Sequence, residues 1–128
     1  MPRENLELVK LYYACDNALS AFGGLKFDTF TTVDEVHSTV CWHIVQISEI
    51  VKSLSSHDKA TLSELPWDEM QAWGDTLIRT APDVDLQGVW NIANGRIPEI
   101  RDKLMIRIYG EEHYNIELEH RKKSRWNV

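Results

Sequence analysis

The sequence predicts an all-α protein, folded as an up-down antiparallel helical bundle of four main helices with the last kinked near Pro98. Apolar residues recur at helical spacing along almost the whole chain. No segment shows the alternation typical of a β-strand, and the sequence contains no Asn-Gly hairpin turn. The connections between the periodic segments are short, which favours antiparallel neighbours. A length of 128 residues suits one domain with one core.

The first two helices are each marked by one apolar stripe. Gly23–Gly24 is expected to end the first helix, because glycine commonly follows a helix C-terminus. Thr32 followed by Glu35 is a capping-box pattern that predicts the start of the second helix, and residues 55–58 are expected to end it. The first stripe comprises Leu8, Tyr12, Cys15, Leu19 and Phe22, and the second comprises Val33, Val36, Val40, Ile44, Ile47, Val51 and Leu54.

The third and fourth helices are bounded by prolines and acidic residues. Pro66 suits the first turn of a helix, and Pro82 disfavours helix at the residue before it. The fourth helix is expected to begin near Asp85. Because Pro98 lies inside its pattern, a kink or break is expected near residues 94–97. The stripe of the fourth helix comprises Leu86, Val89, Ala93, Ile97, Ile100 and Leu104.

Charge divides the chain into an acidic body and a basic end. The bundle is expected to span residues 1–110, with Gly110 ending the ordered part. A charged C-terminal tail is expected at residues 111–128, with a further turn or two of helix. All 20 acidic residues lie at or before Glu119, whereas four of the 14 basic residues follow it. An acidic body is a poor electrostatic match for RNA or DNA, since affinity for phosphate comes from Lys and Arg. The composition therefore does not favour RNA as a partner.

The chain is expected to be cytoplasmic and to need no cofactor. It has no apolar run long enough to span a membrane, its N-terminus lacks the apolar core of an export signal, and it contains only two cysteines. No phosphate-binding loop, nucleophile elbow or array of zinc ligands is present. His37 and Cys41 share a helix face, but two ligands alone do not predict a metal site.

The segment Pro66–Trp90, which reads PWDEMQAWGDTLIRTAPDVDLQGVW, has apolar anchors at fixed spacing. It resembles the corresponding segment of the HepT-like branch of the HEPN family, the toxin component of HepT/MntA-type toxin–antitoxin pairs. The resemblance extends roughly from Leu6 to Leu104, through ISEIVKSL at Ile47–Leu54 and the run Ile97–Ile100. The matching anchors in the segment are Pro66, Trp67, Met70, Val84, Asp85, Val89 and Trp90.

The resemblance implies a helical bundle that pairs into a homodimer. Active members of the family are metal-independent ribonucleases that use an Arg-x₄₋₆-His motif from both subunits. A nucleotidyltransferase antitoxin modifies a tyrosine of that motif. Aromatic residues are enriched at interfaces, and core or dimer packing is also the expected role of Trp42, Trp67, Trp73 and Trp90.

The reactive positions of this chain depart from the family pattern. Gly74–Asp75 stands where the family has Arg-Asn, Arg79 where it has His, and Ala81 where it has Tyr. A guanidinium stays protonated and offers no proton acceptor, so Arg79 cannot act as the base that His supplies. Gly74 cannot stabilise charge on a phosphate, although Arg79 could still hold one. The resemblance therefore implies a degenerate site with no catalytic residue assigned.

Other residues could form a relocated site. Arg107 and His113 have the literal motif spacing, but the pair crosses the predicted helix end at Gly110 and carries two glutamates between its members. His43 lies on the second helix, where it could supply a base. Glu49 matches a family carboxylate on the same helix, and a structural hydrogen-bond acceptor is its simpler role.

Two functions follow from these observations. The first is a dimeric, non-catalytic HepT-like binding module in a toxin–antitoxin-like context. It would bind a partner protein, such as a nucleotidyltransferase-type antitoxin, a nucleotide or RNA. The alternative is a metal-independent endoribonuclease toxin that rebuilt its site from Arg79 with His43, or from Arg107 with His113.

Overall fold

The computed structural model describes residues 6–81 and 83–126, the last four of them by their backbone alone. Every regular element in these ranges is a helix, which confirms the predicted all-α bundle. A five-residue π-helical turn, Ile92–Arg96, joins two of the helices. The α-helices are α1 (Leu6–Phe22), α2 (Phe27–Thr32), α3 (Asp34–Ser53), α4 (Ser56–Thr61), α5 (Trp67–Thr80), α6 (Leu86–Asn91), α7 (Ile97–Tyr109) and α8 (Glu111–Trp126).

The first helix ends where its glycines predict. Gly23 and Gly24 adopt φ angles of +64° and +65°, a left-handed conformation that costs glycine little. The N–H of Gly23 donates to the carbonyl of Leu19 at 2.9 Å, which satisfies one of the last free carbonyls of α1. The glycine pair therefore stops α1 and turns the chain toward α2.

The predicted capping box at the start of α3 is wrong. The helix begins at Asp34 with Val33 as its N-cap, and no side chain caps it. Thr32 instead ends α2, where its hydroxyl donates to the carbonyl of Thr29 at 3.2 Å. Asp34 and Glu35 still place negative charge in the first turn, where the helix dipole favours it.

A short helix lies between α3 and α5, where the sequence predicts only the end of a helix. The hydroxyl of Ser55 accepts a hydrogen bond from the N–H of Asp58 at 3.1 Å and so caps α4. The indole N–H of Trp67 lies 3.0 Å from the carbonyl of Lys59 and 3.1 Å from that of Leu62. These bonds fix the connection against the first residue of α5.

Helices α3 and α5 pack closely and run antiparallel. Ser48, in the second half of α3, contacts Met70 and Gly74 in the first half of α5. Residues of the first half of α3, His37 and Cys41, line the same depression as Ala81, which follows α5. Helices α3 and α5 therefore run in opposite directions, as the short connections predict.

The interruption expected before Pro98 takes the form of the π-helical turn. Pro98 lies in the first turn of α7 and has no N–H to donate to the carbonyl four residues earlier. One position before it, the N–H of Ile97 donates to the carbonyl of Ile92, the five-residue spacing of a π-helix. The π-helical turn accommodates the hydrogen bond that Pro98 cannot make, and it connects α6 directly to α7.

The closest-packed neighbours follow the order α5, α3, α1, α7 and α8. Their facing sides form one core that contains the predicted stripe residues Leu8, Cys15, Ile44, Ile47 and Ile100, among others. Val33 is an exception, since 41% of its surface is exposed. No helix in the described ranges is both long and apolar enough to cross a membrane.

Regular structure does not end at Gly110. Gly110 closes α7 with a φ of +94°, and α8 then continues for 16 residues, more than the turn or two expected. α8 packs mainly against α7. The hydroxyl of Tyr114 donates to a carboxylate oxygen of Asp102 at 3.3 Å, a contact that ties the two helices together.

Candidate functional site

Gly74, at the position where the resembling family has arginine, faces α3 and is buried. A β-carbon built on Gly74 would lie 2.5 Å from the Cβ and 2.7 Å from the Oγ of Ser48. Carbon atoms in van der Waals contact lie about 3.5–4.0 Å apart, so the two helices leave no room for a side chain here. The position is therefore a packing position in this fold.

The hydroxyl of Ser48 enters the backbone hydrogen bonding of α5. It accepts from the N–H of Gly74 at 2.7 Å and donates to the carbonyl of Met70 at 2.5 Å. These two backbone groups are an i, i−4 pair of an α-helix, so the hydroxyl bridges the donor and the acceptor of one helical turn. Ser48 is fully buried, and both of its hydrogen-bonding functions are satisfied.

Asp75, the neighbour of Gly74, points to solvent and pairs with α3. Its carboxylate lies 2.6 Å from the ammonium of Lys52, which also lies 3.4 Å from Glu49. The hydrogen bond that Lys52 donates to Asp75 raises the pKa of Lys52 above its usual value, with a smaller contribution from Glu49. The predicted role of Glu49 as a local hydrogen-bond acceptor fits this geometry.

Arg79 and Ala81 lie at the end of α5, both exposed. Ala81 is the C-cap residue, and its N–H donates to the carbonyl of Leu77. It borders a depression of about 360 Å³ that His37 and Cys41 also line. Burial raises the pKa of the Cys41 thiol, so the thiol stays protonated and is a poor nucleophile.

His43 lies beside Trp42, with the ring centroids 5.0 Å apart in an edge-to-face arrangement. Partial burial lowers the pKa of His43 below its ordinary value. His43 precedes Ser48 by five residues, and Arg79 follows Gly74 by five. Five residues turn a helical side chain by about 140°, so both point away from the contact of α3 with α5. The structure does not bring His43 and Arg79 into one site.

Arg107 and His113 lie on different helices, α7 and α8, on either side of Gly110. The ring of His113 lies 5.0 Å from that of Tyr109. His113 borders a cavity of about 410 Å³ formed by α1, α7 and α8, and Arg107 is not part of its lining. The arginines of that cavity are Arg101 and Arg121, which the motif spacing does not identify.

This three-helix cavity is lined by polar and aromatic side chains. Its residues are Tyr12, Tyr13, Asp16, Arg101, Met105, Tyr109, His113, Glu117 and Arg121. A hydrogen bond with Tyr13, helped by burial, raises the pKa of Tyr109 to about 12. Burial and the nearby carboxylate of Asp16 raise the pKa of Tyr12. The phenols of Tyr12 and Tyr109 are therefore neutral hydrogen-bonding groups near pH 7.

The charged groups of the cavity are joined by long contacts. Arg101 lies 3.4 Å from Asp16 and 3.5 Å from Asp102, and Arg121 lies 3.5 Å from Asp102. The Nε of Arg101 and the Oδ1 of Asp102 lie 3.5 Å apart, and both atoms are buried without a hydrogen-bond partner among the described residues. By contrast, Arg96 and Glu69 form a two-pronged pair at 2.8 and 3.0 Å on the surface.

Sequence reasoning missed two sets of polar groups, the hydroxyl of Ser48 and the charged cluster around Arg101. Ser48 lies on the apolar face of α3. A serine at such a position is the one local signal that could have indicated a buried hydrogen-bond partner. Arg101, Asp16 and His113 are far apart along the chain and meet only because α1, α7 and α8 pack together. A glycine inside a helix, such as Gly74, is a signal that could have indicated a close approach of two helices, but it was interpreted only as the loss of a cation.

Among the residues the structure describes, no group of three or more His, Cys, Asp or Glu side chains is placed to hold a metal ion. Comparison of the chain with family models, with curated proteins and with solved structures gave no significant match.

Proposed function

We propose that this chain is a HepT-like protein of the HEPN type that lacks ribonuclease chemistry and acts as a binding module. The observation that carries the proposal is the burial of Gly74 against Ser48. A catalytic cation at this position would have to displace α3. The module would bind a partner protein, a nucleotide or RNA in a toxin–antitoxin-like context.

The neighbouring positions support the same conclusion. Asp75 is paired with Lys52 at 2.6 Å, which leaves no unpaired cation next to Gly74. Arg79 is exposed and can hold a phosphate, but its guanidinium cannot accept a proton. Ala81 offers no hydroxyl for a nucleotidyltransferase antitoxin to modify. If such a protein is the partner, it acts through contact and not through modification at this position.

The proposal includes a homodimer, as the resemblance implies. Two large apolar side chains on the close-packed pair of helices are exposed: Trp42 on α3 by 58% and Ile78 on α5 by 61%. Trp42 precedes Ser48, and Ile78 follows Gly74, so in the antiparallel pair both lie toward the same end. Light scattering of the protein as it elutes from a size-exclusion column measures its mass directly. A monomeric mass at high protein concentration would contradict this part of the proposal.

The experiment that tests the loss of catalysis is incubation of labelled cellular RNA with the purified chain in the presence of EDTA. We expect no cleavage, even at high protein concentration, from the wild type or from Arg79→His/Ala81→Tyr. Restoring two family residues would not suffice, because Gly74 still has no room for the cation. Cleavage that co-elutes with the protein and disappears in His43→Ala or His113→Ala would overturn the proposal.

The alternative is a metal-independent endoribonuclease with a relocated site. One observation favours it: burial lowers the pKa of His43, which keeps the imidazole neutral and able to accept a proton near pH 7. Its expected partner Arg79 points elsewhere, and the body of the chain is acidic. Loss of cleavage in His43→Ala, with His57→Ala at an exposed histidine of α4 as the matched control, would support this alternative.

A further inference from the structure

The cavity between α1, α7 and α8 lies away from the α3–α5 contact, and its chemistry does not depend on the function proposed above. We propose that it binds a small zwitterion of the α-amino acid class. The carboxylate of the ligand would bind the guanidinium groups of Arg101 and Arg121, and its ammonium would bind the carboxylates of Asp16 and Glu117.

The cationic half of the site consists of two arginines with spare donors. A guanidinium carries five N–H donors in a planar fork that suits a carboxylate. Arg101 is mostly buried, with 16% of its side chain exposed, yet its hydrogen bond to Asp16 is long, at 3.4 Å, and its Nε has none. Arg121 approaches Asp102 only at 3.5 Å. The Nε itself is buried, so an incoming carboxylate would accept from the terminal N–H groups of Arg101 and from Arg121, since both residues line the cavity.

The anionic half consists of two carboxylates. Glu117 is half-buried at the cavity and makes no ion pair with any side chain that the structure describes. Among the described residues, the ion pair of Asp16 is its long contact with Arg101, at 3.4 Å. An ammonium group placed between them would compensate both charges within one small volume.

The balance of charge selects a zwitterion over a simple ion. Arg101 and Arg121 face three carboxylates, because Asp102 lies between the two arginines in addition to Asp16 and Glu117. A phosphate would add negative charge to a site that already has an excess of it. A simple amine would leave the arginine donors unmatched. A zwitterion adds no net charge and matches both halves.

Aromatic rings complete the lining and favour an apolar ligand side chain. The rings of Tyr12 and Tyr109 lie 5.9 Å apart edge to face, and His113 lies against Tyr109. Ring faces attract an ammonium, and ring edges and faces pack well against apolar groups. The cavity volume of about 410 Å³ lies within the range of small-molecule sites, about 300–1,000 Å³.

Calorimetric titration of the full chain with each of the twenty standard free L-amino acids tests the proposal. We expect saturable binding of at least one with an apolar or aromatic side chain. For that amino acid, the amine that lacks the carboxylate and the acid that lacks the ammonium should each bind at least tenfold more weakly. Absence of binding by all twenty, or equal binding of either analogue, would overturn the proposal. Saturable binding of inorganic phosphate without any amino acid would also overturn it, in favour of an anion site.

Two variants separate the halves of the site. Arg121→Gln should weaken the amino acid at least tenfold and leave the affinity of the amine analogue unchanged. Glu117→Gln should weaken the amino acid and leave the acid analogue unchanged. The matched control is Lys122→Gln, on the same helix, whose side chain pairs with Glu119 outside the cavity. Equal loss in the control, or an unchanged thermogram in both variants while circular dichroism shows intact helix, would contradict the assignment.

Discussion

The hydroxyl of Ser48 accepts a hydrogen bond from the backbone N–H of Gly74 at 2.7 Å, across the closest approach of α3 and α5. The same hydroxyl donates to the carbonyl of Met70. A serine and a glycine 26 positions apart thus determine how near the two helices come. This contact leaves no room for a side chain at position 74.

Gly74→Ala should destabilise the fold. The new β-carbon would lie 2.5 Å from that of Ser48, and overpacking of this kind typically costs about 1–3 kcal/mol. Replacing a helical glycine by alanine returns up to about 1 kcal/mol, so a net loss of about 1–2 kcal/mol is expected in urea unfolding. Gly95→Ala is the matched control, because a β-carbon there meets no atom within 4 Å. Equal stability of both variants would contradict the close approach.

Ser48→Ala should also destabilise the chain, by about 1–2 kcal/mol, because two buried hydrogen bonds are lost. The cost stays in this range because Met70 and Gly74 can then bond to each other as in a regular helix. Chemical denaturation gives the free energy of unfolding. Ser53→Ala is the control, since its hydroxyl donates to the carbonyl of Ile50 on the surface. A loss in Ser53→Ala as large as in Ser48→Ala would show that burial is not the cause.

Trp67→Phe should cost about 1 kcal/mol, the net value of a typical hydrogen bond. The lost indole N–H is shared by the carbonyls of Lys59 and Leu62, which hold α4 against α5. Thermal unfolding followed by circular dichroism measures the effect. Trp42→Phe provides the comparison, because 58% of Trp42 is exposed and no such bond depends on it. If the two variants melt together, the indole bond contributes nothing to stability.

The buried thiol of Cys15 should make the fold less stable in alkali. Burial raises the pKa of Cys15 from 9.0 to about 12. A group whose pKa is raised in the folded state contributes stability below its unfolded pKa, and that contribution is lost as pH rises toward the folded value. One pH unit above the unfolded pKa, at about pH 10, the loss is about 1.4 kcal/mol.

Urea unfolding of the wild type and of Cys15→Ala between pH 8 and about pH 12 isolates this contribution. The alanine variant starts lower because it leaves a cavity, but that cost does not change with pH. The difference between the two free energies should therefore shrink as pH rises. A constant difference would mean that Cys15 ionises equally in both states.

The sequence predicts the long helices well, because apolar periodicity is a local property. The stripes of α1, α3 and the continuous α6–α7 segment, the glycine stop after Phe22 and the interruption before Pro98 all follow from neighbouring residues. The start of α3 was mispredicted, because Thr32 belongs to the end of α2 and not to a capping box. The extent of α8 was underestimated, because its contacts with Asp102 on α7 are not visible in its own polar sequence.

The sites were less predictable than the helices. Gly74, Asp75 and Arg79 were singled out by comparison with a motif, and the structure gives Gly74 a packing role that the motif does not contain. The cavity that holds Arg101 and His113 joins three helices from distant parts of the chain, so no local pattern announces it. Tertiary packing decides which side chains contact each other in this cavity.

The order of neighbouring helices has a consequence for hydrogen exchange. α5 and α8 lie at opposite ends of the series, each held mainly by one neighbour, so each can open without disrupting the other. The amides of α8 should exchange through such local opening, well before those of α1 and α3 in the centre. Any small molecule held between α1, α7 and α8 would bind only the closed form, and would therefore slow exchange in α8 while leaving α5 unchanged.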